Sequence, residues 1–493
     1  MMTAATRLLL AAGVSAIYWA TLAPTLTWRN GGTDGAELAA AAYVWGVAHP
    51  PGYPLYLTLM RLFQLIPLGD PAFRATLFSA CAAVLAVLAV AAATLEALLP
   101  AGGGHRVLAY GGPAPLGAGW RERVGAIFAG ASFAFGPLFW SQAVITEVYT
   151  LSAALLGLFV VAFGRWLRSP TRGSALALAG ISSLLVSHQP VFAAALVPAV
   201  VVVWRQSRSR RTALPGHQWP APLVAPLLLL GPLLMLTLWL RAAFQPSLNW
   251  GDPSTAARWL AHVTAEAYRP YFLARPLLDE LPRVPQAAAL LARQSGWPGM
   301  ALAGLGLIWL WANRRAFAVG TAGVASFFAG FAVLYNAQGS EVYLLPTVQL
   351  LAIAAGVGAA WILRGVRRPL LQAALFALPL LLAWRLWTAW RAVDASRDRE
   401  ARLWGEALLR SAPPAALVRS SSEQHTFVLW YLQHVEGVRP DVAIVDDRLL
   451  AFVWYRHQLL RQYPQLSGTG IADDVDRGVA ERLQRERRGS GPA

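Results

Sequence analysis

Apolar runs of about twenty residues recur along the whole chain and constrain its fold more than any other feature. A run of that length crosses a bilayer as a helix, because each residue adds about 1.5 Å along the axis and the hydrocarbon core is about 30 Å thick. Of the 493 residues, 56% are hydrophobic and 13% are charged. The sequence therefore predicts an all-α polytopic membrane protein. A signal peptide at residues 1–27 is the alternative, but no Ala-x-Ala site precedes a soluble domain.

We place about eleven membrane spans, at 8–27, 73–99, 124–140, 148–167, 174–187, 190–204, 221–241, 298–312, 316–335, 342–363 and 370–388. With this count the clustered arginines fall on one side: Arg7; Arg106, Arg121 and Arg123; Arg165, Arg168 and Arg172; Arg205, Arg208, Arg210 and Arg211; Arg314 and Arg315; Arg364, Arg367 and Arg368. Short arginine-rich loops stay in the cytoplasm, so that side is predicted to be cytoplasmic.

The net charge of +16 does not indicate a nucleic-acid partner, because the basic residues lie in short loops between apolar runs rather than on one soluble face. The single cysteine, Cys81, lies inside an apolar run. It excludes a disulfide framework and a thiolate metal site within one chain. The sequence also lacks a zinc pattern, a P-loop and a dinucleotide-binding fingerprint in a suitable context, so no metal ligands are predicted.

The opposite, extracytoplasmic side collects the residues suited to chemistry. These are Asp34, Glu37, His49, Glu147, His188, Asn249, Asp252 and Glu341. Carboxylates are costly near hydrocarbon, so an acidic pair at the mouth of a span indicates a function. This convergence follows from the predicted topology alone.

Asp34 and Glu37 open the first outer loop, 28–72, and lie on one face if the segment is helical. A capping box, in which both carboxylates support the start of the next helix, is the structural alternative. The run His49-Pro50-Pro51-Gly52-Tyr53-Pro54 follows and predicts a rigid corner, because proline fixes φ and removes a donor. The helical pieces on either side are too short to span, and they are predicted to be interfacial helices on the outer leaflet.

These residues carry a resemblance to a known family. Asp34-Gly35-Ala36-Glu37-Leu38, together with Gly46-Val47-Ala48-His49-Pro50-Pro51-Gly52-Tyr53-Pro54-Leu55-Tyr56, resembles the opening signature of the DUF2723 family. The family usually has Asp-Ser-Gly-Glu, so both acids are retained here. Its eukaryotic relatives are membrane protein O-mannosyltransferases of the GT-C glycosyltransferase superfamily. The resemblance implies a GT-C-like fold. Supporting matches are Glu147-Val148-Tyr149, Trp250-Gly251-Asp252-Pro253, Leu429-Trp430-Tyr431-Leu432 and Arg439-Pro440-Asp441-Val442.

Asp34 and Glu37 are the candidate catalytic residues, with Asp34 as general base. The candidate substrate-binding residues are His49, Glu147, His188, Asp252, Arg269 and Glu341. All of them except Glu341 have a structural alternative: His49 beside proline, Glu147 in a loop, His188 bonded to a neighbouring helix, Asp252 in a turn, and Arg269 anchored at headgroups.

We predict a GT-C-like transmembrane domain over 1–390, with a long outer loop at 242–297. A strand–helix–strand pattern predicts a small extracytoplasmic α/β domain over 391–466. The polar tail 467–493 is predicted to be disordered.

Nucleotide sugars are not available outside the cytoplasm, so the expected donor is a polyprenyl-phosphate-linked sugar. The resemblance to the family makes mannose the first choice of sugar. The expected acceptor is a hydroxyl of a protein, lipid or glycan, and inversion is expected if the hydroxyl attacks opposite the phosphate. A bound divalent cation could orient either substrate. Membrane lipids are the other expected partner, and a bacterial inner membrane is the expected location. A transporter or lipid-linked-sugar flippase and a non-catalytic envelope assembly factor are the alternatives.

Overall fold

The computed structural model describes residues 2–100, 119–213, 221–365 and 368–467, with side chains except at 209–213, 221–223 and 368–375. Arg106, Arg367 and all but the first residue of the predicted disordered tail lie outside the described residues.

Helices make up most of the described chain. In chain order the α-helices are α1 Ala4–Thr21, α2 Gly35–Tyr43, α3 Pro54–Gln64, α4 Pro71–Leu98, α5 Trp120–Ala134, α6 Pro137–Ala143, α7 Tyr149–Arg168, α8 Arg172–His188, α9 Phe192–Ala195, α10 Val197–Ala213, α11 Ala221–Ala243, α12 Ala256–Val263, α13 Leu277–Glu280, α14 Arg283–Asn313, α15 Arg315–Leu334, α16 Leu345–Gly365, α17 Arg368–Val393, α18 Glu400–Ser411, α19 Glu423–His434 and α20 Val453–Gln462. Short 3₁₀ helices cover Arg29–Gly31, Glu266–Tyr271, Ser340–Leu344, Leu449–Ala451 and Pro464–Leu466. The strands are β1 Leu417–Ser420 and β2 Ala443–Asp446.

Six described helical segments are long and apolar enough to cross a bilayer, namely Ala4–Thr21, Pro71–Leu98, Tyr149–Arg168, Val224–Ala243, Arg315–Leu334 and Ser340–Gly365. A seventh span is present if α5 and α6, which are bent by 69° between Ala134 and Pro137, cross together. The other predicted spans fall on α8, α9 and α10, the second half of α14, and α17. The class of polytopic helical membrane protein is confirmed, whereas the count of eleven is not.

The described chain divides into two compact units. The first unit comprises the residues up to Ala23, Thr76–Met235 and Ala267–Arg397. The second unit comprises Pro24–Ala75, Leu236–Glu266 and the described residues from Asp398 onward. This division differs from the predicted one at residue 390, because the first outer loop and half of the long outer loop cluster with the C-terminal segment.

Close helix packing at small residues holds the first unit together. A Cβ on Gly306 of α14 would lie 1.8 Å from the carbonyl oxygen of Ala354 in α16. A Cβ on Gly125 of α5 would lie 2.4 Å from the carbonyl oxygen of Gly356, also in α16. Glycine lets two helix backbones approach this closely. In lipid there is no hydrophobic driving force between helices, so close packing of this kind holds them together.

In the second unit, the C-terminal segment forms the predicted strand–helix–strand. β1 pairs with β2 in parallel, with Leu417 opposite Ala443 and Ser420 opposite Asp446, and α19 forms the connection. α19 packs against both α18 and α2. Its residues Thr426 to Gln433 are all buried, as expected for a helix with neighbours on several faces.

The first outer loop differs from its prediction in one helix. In α2 every residue from Gly35 to Ala42 is buried, including Glu37. α3 and α19 both pack against α2. α2 is therefore a core helix of the second unit and not an interfacial helix. α3 fits the interfacial prediction better, because Leu62 and the following Leu65 are exposed while Tyr56, Leu57 and Met60 are buried.

Candidate active site

Asp34, Glu37 and His49 form a carboxylate–imidazole–carboxylate arrangement in the second unit. The Glu37 carboxylate is 2% exposed, and its Oε1 accepts a hydrogen bond from the His49 backbone N–H at 2.8 Å. Its Oε2 lies 3.0 Å from His49 Nδ1. The other ring nitrogen, Nε2, lies 3.9 Å from Asp34 Oδ2. Glu37 thus fixes the imidazole at two points, and Nε2 is directed to Asp34.

The capping-box alternative for the two acids does not apply. Asp34 stands at the N-cap position of α2, but its backbone is helical (φ −81°, ψ −14°) and its side chain caps no backbone N–H. Glu37 bonds to His49 rather than back to the start of the helix. The Asp34 side chain is 41% exposed, so its carboxylate is accessible to a substrate.

The proline corner is held against the long outer loop by backbone and ring contacts. Val47 N–H donates to the Leu248 carbonyl at 2.9 Å, and Trp250 N–H donates to the Val47 carbonyl at 3.1 Å. The His49 ring contacts Tyr53 edge-on at 5.4 Å and Trp250 at 6.3 Å between centroids. These contacts place the Trp250-Gly251-Asp252-Pro253 motif beside the His49 corner.

His262 in α12 is buried at this corner. Its ring leaves no room for a side chain at Gly52 or Gly251, the glycines of the two motifs. A Cβ on Gly52 would lie 2.9 Å from His262 Nε2, and a Cβ on Gly251 would lie 2.9 Å from Nδ1. Both glycines also have positive φ, +89° and +71°, which side chains disfavour. Burial lowers the pKa of His262 to about 3, and the nearby charge of His49 lowers it further.

Asp252 bonds to side chains that are close to it in the sequence. Its Oδ1 accepts from Asn249 Nδ2 at 3.1 Å and from Gln245 Nε2 at 3.3 Å, and its Oδ2 pairs with Arg258 Nη1 at 2.8 Å. These bonds support the turn interpretation of Asp252.

Glu147 and His188 lie in the first unit and share one neighbour. Glu147 is 5% exposed and its Oε2 accepts from the Val148 backbone N–H at 3.2 Å. His188 is fully buried, and its Nε2–H donates to the Val148 carbonyl at 3.0 Å. The structure thus brings these two candidates together at the start of α7. Both are engaged with backbone groups.

Arg269 and Glu341 are the remaining candidates, and both also belong to the first unit. Each is exposed and lies in a short 3₁₀ helix. The roles of both candidates stay predictions.

The sequence analysis missed two groups of the second unit. One is His262, which no motif singled out. The other is the Glu423–Arg448 ion pair, 3.3 Å between Oε1 and Nη1, in the C-terminal segment. Burial and the charge of Asp34 raise the pKa of Glu423, while Arg448 and His49 lower it. The signal was the acidic residue that begins α19, three residues after the first strand.

No group of three or more His, Cys, Asp or Glu side chains in the described parts of the chain is arranged to hold a metal ion. A bound divalent cation that orients donor or acceptor stays a prediction.

Comparisons with known proteins match the parts of the chain that carry Asp34, Glu37, His49 and Glu423. Residues 34–212 match the family model described as the protein O-mannosyl-transferase TMEM260 N-terminal domain, and residues 401–471 match TMEM260-associated domain 2. These descriptions do not carry the DUF2723 label, which stays a prediction. The mouse (Mus musculus) protein O-mannosyl-transferase TMEM260 is 25% identical over 507 residues, covering 92% of this chain. The chain spans 64% of the length of that relative.

Among solved structures, ArnT from Cupriavidus metallidurans bound to undecaprenyl phosphate matches with a TM-score of 0.54 and 12% identity, covering 91% of this chain and 90% of that one. Its apo form matches with a TM-score of 0.47 and 13% identity, again over 91% and 90%. The chain is thus similar along most of its length to a protein O-mannosyl-transferase, and its fold resembles that of ArnT.

Proposed function

We propose that the chain is a membrane glycosyltransferase that moves a sugar from a polyprenyl-phosphate carrier to an acceptor hydroxyl on the extracytoplasmic face. The observation that carries this proposal is the accessible Asp34 carboxylate beside His49, whose ring is fixed by the buried Glu37. An exposed acid that does not cap its own helix is available to remove a proton from a substrate.

In the proposed reaction the acceptor oxygen attacks the anomeric carbon as its proton passes to Asp34. The new glycosidic C–O bond forms while the bond from that carbon to the phosphate oxygen breaks, and polyprenyl phosphate leaves. Attack on the face opposite the phosphate inverts the anomeric centre. A phosphate is already a good leaving group, so one base can suffice.

His49 and Glu37 act on the base rather than on the acceptor. The His49 ring lies between the two carboxylates, with Nε2 3.9 Å from Asp34 Oδ2 and Nδ1 3.0 Å from Glu37 Oε2. Glu37 holds the ring through the backbone N–H and Nδ1. We therefore assign Asp34 as the base and the other two as positioning residues.

The relatives support the choice of substrates. The mouse relative is named a protein O-mannosyl-transferase, which favours mannose and a protein hydroxyl. The ArnT structure was determined with undecaprenyl phosphate, which favours a lipid carrier of that kind. We also propose the inner membrane of a bacterium as the location. Glu147, His188, Asp252, Arg269 and Glu341 stay candidates for binding donor or acceptor.

Incubation of the purified protein in detergent with radiolabelled polyprenyl-phosphate sugars tests the proposal. Release of polyprenyl phosphate from one donor identifies the sugar before the acceptor is known. Failure of the whole panel, combined with movement of a lipid-linked sugar across vesicle membranes, would instead indicate a flippase.

Asp34→Asn tests the base. Asparagine has nearly the same size but cannot take up the proton, and loss of a general base costs about 100- to 10,000-fold in rate. Stability should change by about 1 kcal/mol or less, because the Asp34 side chain caps nothing. Turnover under conditions where chemistry limits the rate, with thermal unfolding and donor binding as controls, measures both effects. Wild-type turnover by this variant would remove Asp34 as the base.

A further inference from the structure

The C-terminal segment presents a carboxylate next to the Asp34 loop. Glu423 begins α19, and its side chain is 52% exposed. Its Oε1 pairs with Arg448 Nη1 at 3.3 Å. Its Oε2 has no hydrogen bond to any residue that the structure describes, so one carboxylate oxygen remains available to a ligand.

A buried network fixes this pair in place. Asp446, at the end of β2, is fully buried. Its Oδ2 accepts from Arg448 Nη2 at 3.0 Å and from the Thr426 hydroxyl at 2.7 Å, and its Oδ1 accepts from the Arg448 backbone N–H at 2.9 Å. Since Thr426 lies one turn after Glu423, the same network orients both members of the ion pair.

Contacts within the second unit connect Glu423 with the Asp34 loop. α19 packs against α2, the helix that begins directly after Asp34. Trp28 Nε1–H donates to the carbonyl of Gln424 at 3.2 Å, and the Trp28 ring contacts the His425 ring at 5.3 Å between centroids. The two residues that follow Glu423 therefore hold the segment that leads into Asp34.

We propose that Glu423 is a specificity-determining residue of the Asp34 site and that its carboxylate accepts hydrogen bonds from hydroxyl groups of the transferred sugar. This inference rests on the proposed glycosyltransferase function. It makes the C-terminal segment part of the substrate site and not a separate binding module.

The chemistry favours a sugar hydroxyl as the ligand. An ionised carboxylate only accepts hydrogen bonds, and a sugar presents several O–H donors around its anomeric carbon. That carbon must come close to Asp34, because the oxygen that Asp34 deprotonates attacks it. Arg448 offsets the negative charge that Glu423 adds to this segment, because its Nη1 lies 3.3 Å from Glu423 Oε1.

Glu423→Gln, assayed with a series of donors that each lack one sugar hydroxyl, tests the contact. In the wild-type protein, one deoxy donor should lose about 10- to 100-fold in kcat/KM, as expected for a hydrogen bond to a charged group. Glu423→Gln should lose a similar factor with the intact donor and little more with that deoxy donor.

Asp447→Asn is the matched control, because Asp447 pairs with Arg419 at 2.8 Å in the same segment and on an exposed surface. It should retain the wild-type preference among the donors. The inference is overturned if Glu423→Gln behaves as the wild type, or if it slows every donor by the same factor. Failure of the wild-type protein to release polyprenyl phosphate from any donor would instead refute the proposed function, and the inference with it.

Arg448→Gln gives a second readout. The charged groups that face Glu423 are Arg448, Asp34, His49 and Asp446, and Arg448 lowers the pKa of Glu423. Its removal should move the acidic limb of the kcat/KM profile to higher pH, whereas Asp447→Asn should not. An unshifted profile in Arg448→Gln would contradict an ionised Glu423 in the site.

Discussion

At the scale of single residues, two carboxylates three positions apart have opposite environments. Asp34 is 41% exposed and Glu37 is 2% exposed, although both belong to one sequence motif. The burial of Glu37 is compatible with its charge because two N–H groups of His49 bond to it. The motif therefore combines one accessible carboxylate with one that is buried and holds the His49 ring.

Glu37→Gln should separate these roles. The amide oxygen of glutamine can still accept a hydrogen bond from one N–H of His49, but its NH₂ group then faces the second N–H and leaves it without an acceptor. The free energy of unfolding should therefore fall by about 1–3 kcal/mol. The transfer rate should fall less than in Asp34→Asn, and mainly in kcat, because the His49 ring is misplaced while the base remains. Equal losses in the two variants would favour Glu37 as the base.

His262 should make stability depend on pH. Its pKa is about 3 in the folded protein and about 6.5 in the unfolded chain. Below pH 6.5 the unfolded state therefore binds a proton that the folded state does not. The contribution of His262 to stability is complete above pH 6.5 and is lost as the pH falls towards 3. Between pH 7 and pH 5 the loss is about 2 kcal/mol.

Thermal unfolding at several pH values, with His262→Gln, checks this expectation, because the variant should have a flatter profile. His457→Gln, at an exposed histidine of α20, is the control and should keep the wild-type slope. A wild-type slope in His262→Gln would show that other groups cause the dependence.

At the scale of helices, the sequence predicted where helices lie along the chain better than it predicted which helices pack against each other. The predicted spans fall on helices because hydrophobic length is a local property. The strand–helix–strand around α19 was also predicted from local alternation. α2 was misassigned as interfacial, because its burial depends on α19, which is nearly four hundred residues away in the chain. For the same reason no pattern indicated that Trp28 bonds to the carbonyl of Gln424.

Gly306→Ala should loosen the contact between α14 and α16. The added methyl group would lie 1.8 Å from the Ala354 carbonyl oxygen, a backbone atom that cannot rotate away. Overpacking of this kind costs about 1–3 kcal/mol or more. Gly304→Ala, on the same helix with open space around its Cβ, is the matched control. Equal thermal stability of the two variants in detergent would contradict the tight contact.

At the scale of the whole molecule, the side of the membrane on which the site lies stays a prediction from the arginine pattern. In a Cys81→Ser background, Ala257→Cys in the exposed part of α12 should react with a membrane-impermeant thiol reagent added outside intact cells. Gly173→Cys, at the exposed start of α8, should react only after the cells are opened. The reverse pattern would place the site in the cytoplasm and remove the argument for a lipid-linked donor.

The second unit combines an early part of the chain, Pro24–Ala75, with the segment from Asp398 onward. A ribosome makes the residues around Asp34 near the start of synthesis and those around Glu423 near its end. Most of the apolar helices must enter the membrane during that interval. The nascent chain therefore carries Asp34, the proposed base, for most of its synthesis without the segment against which α2 packs. Sugar transfer should begin only after translation has passed α19, so partial chains stalled during insertion would not consume donor.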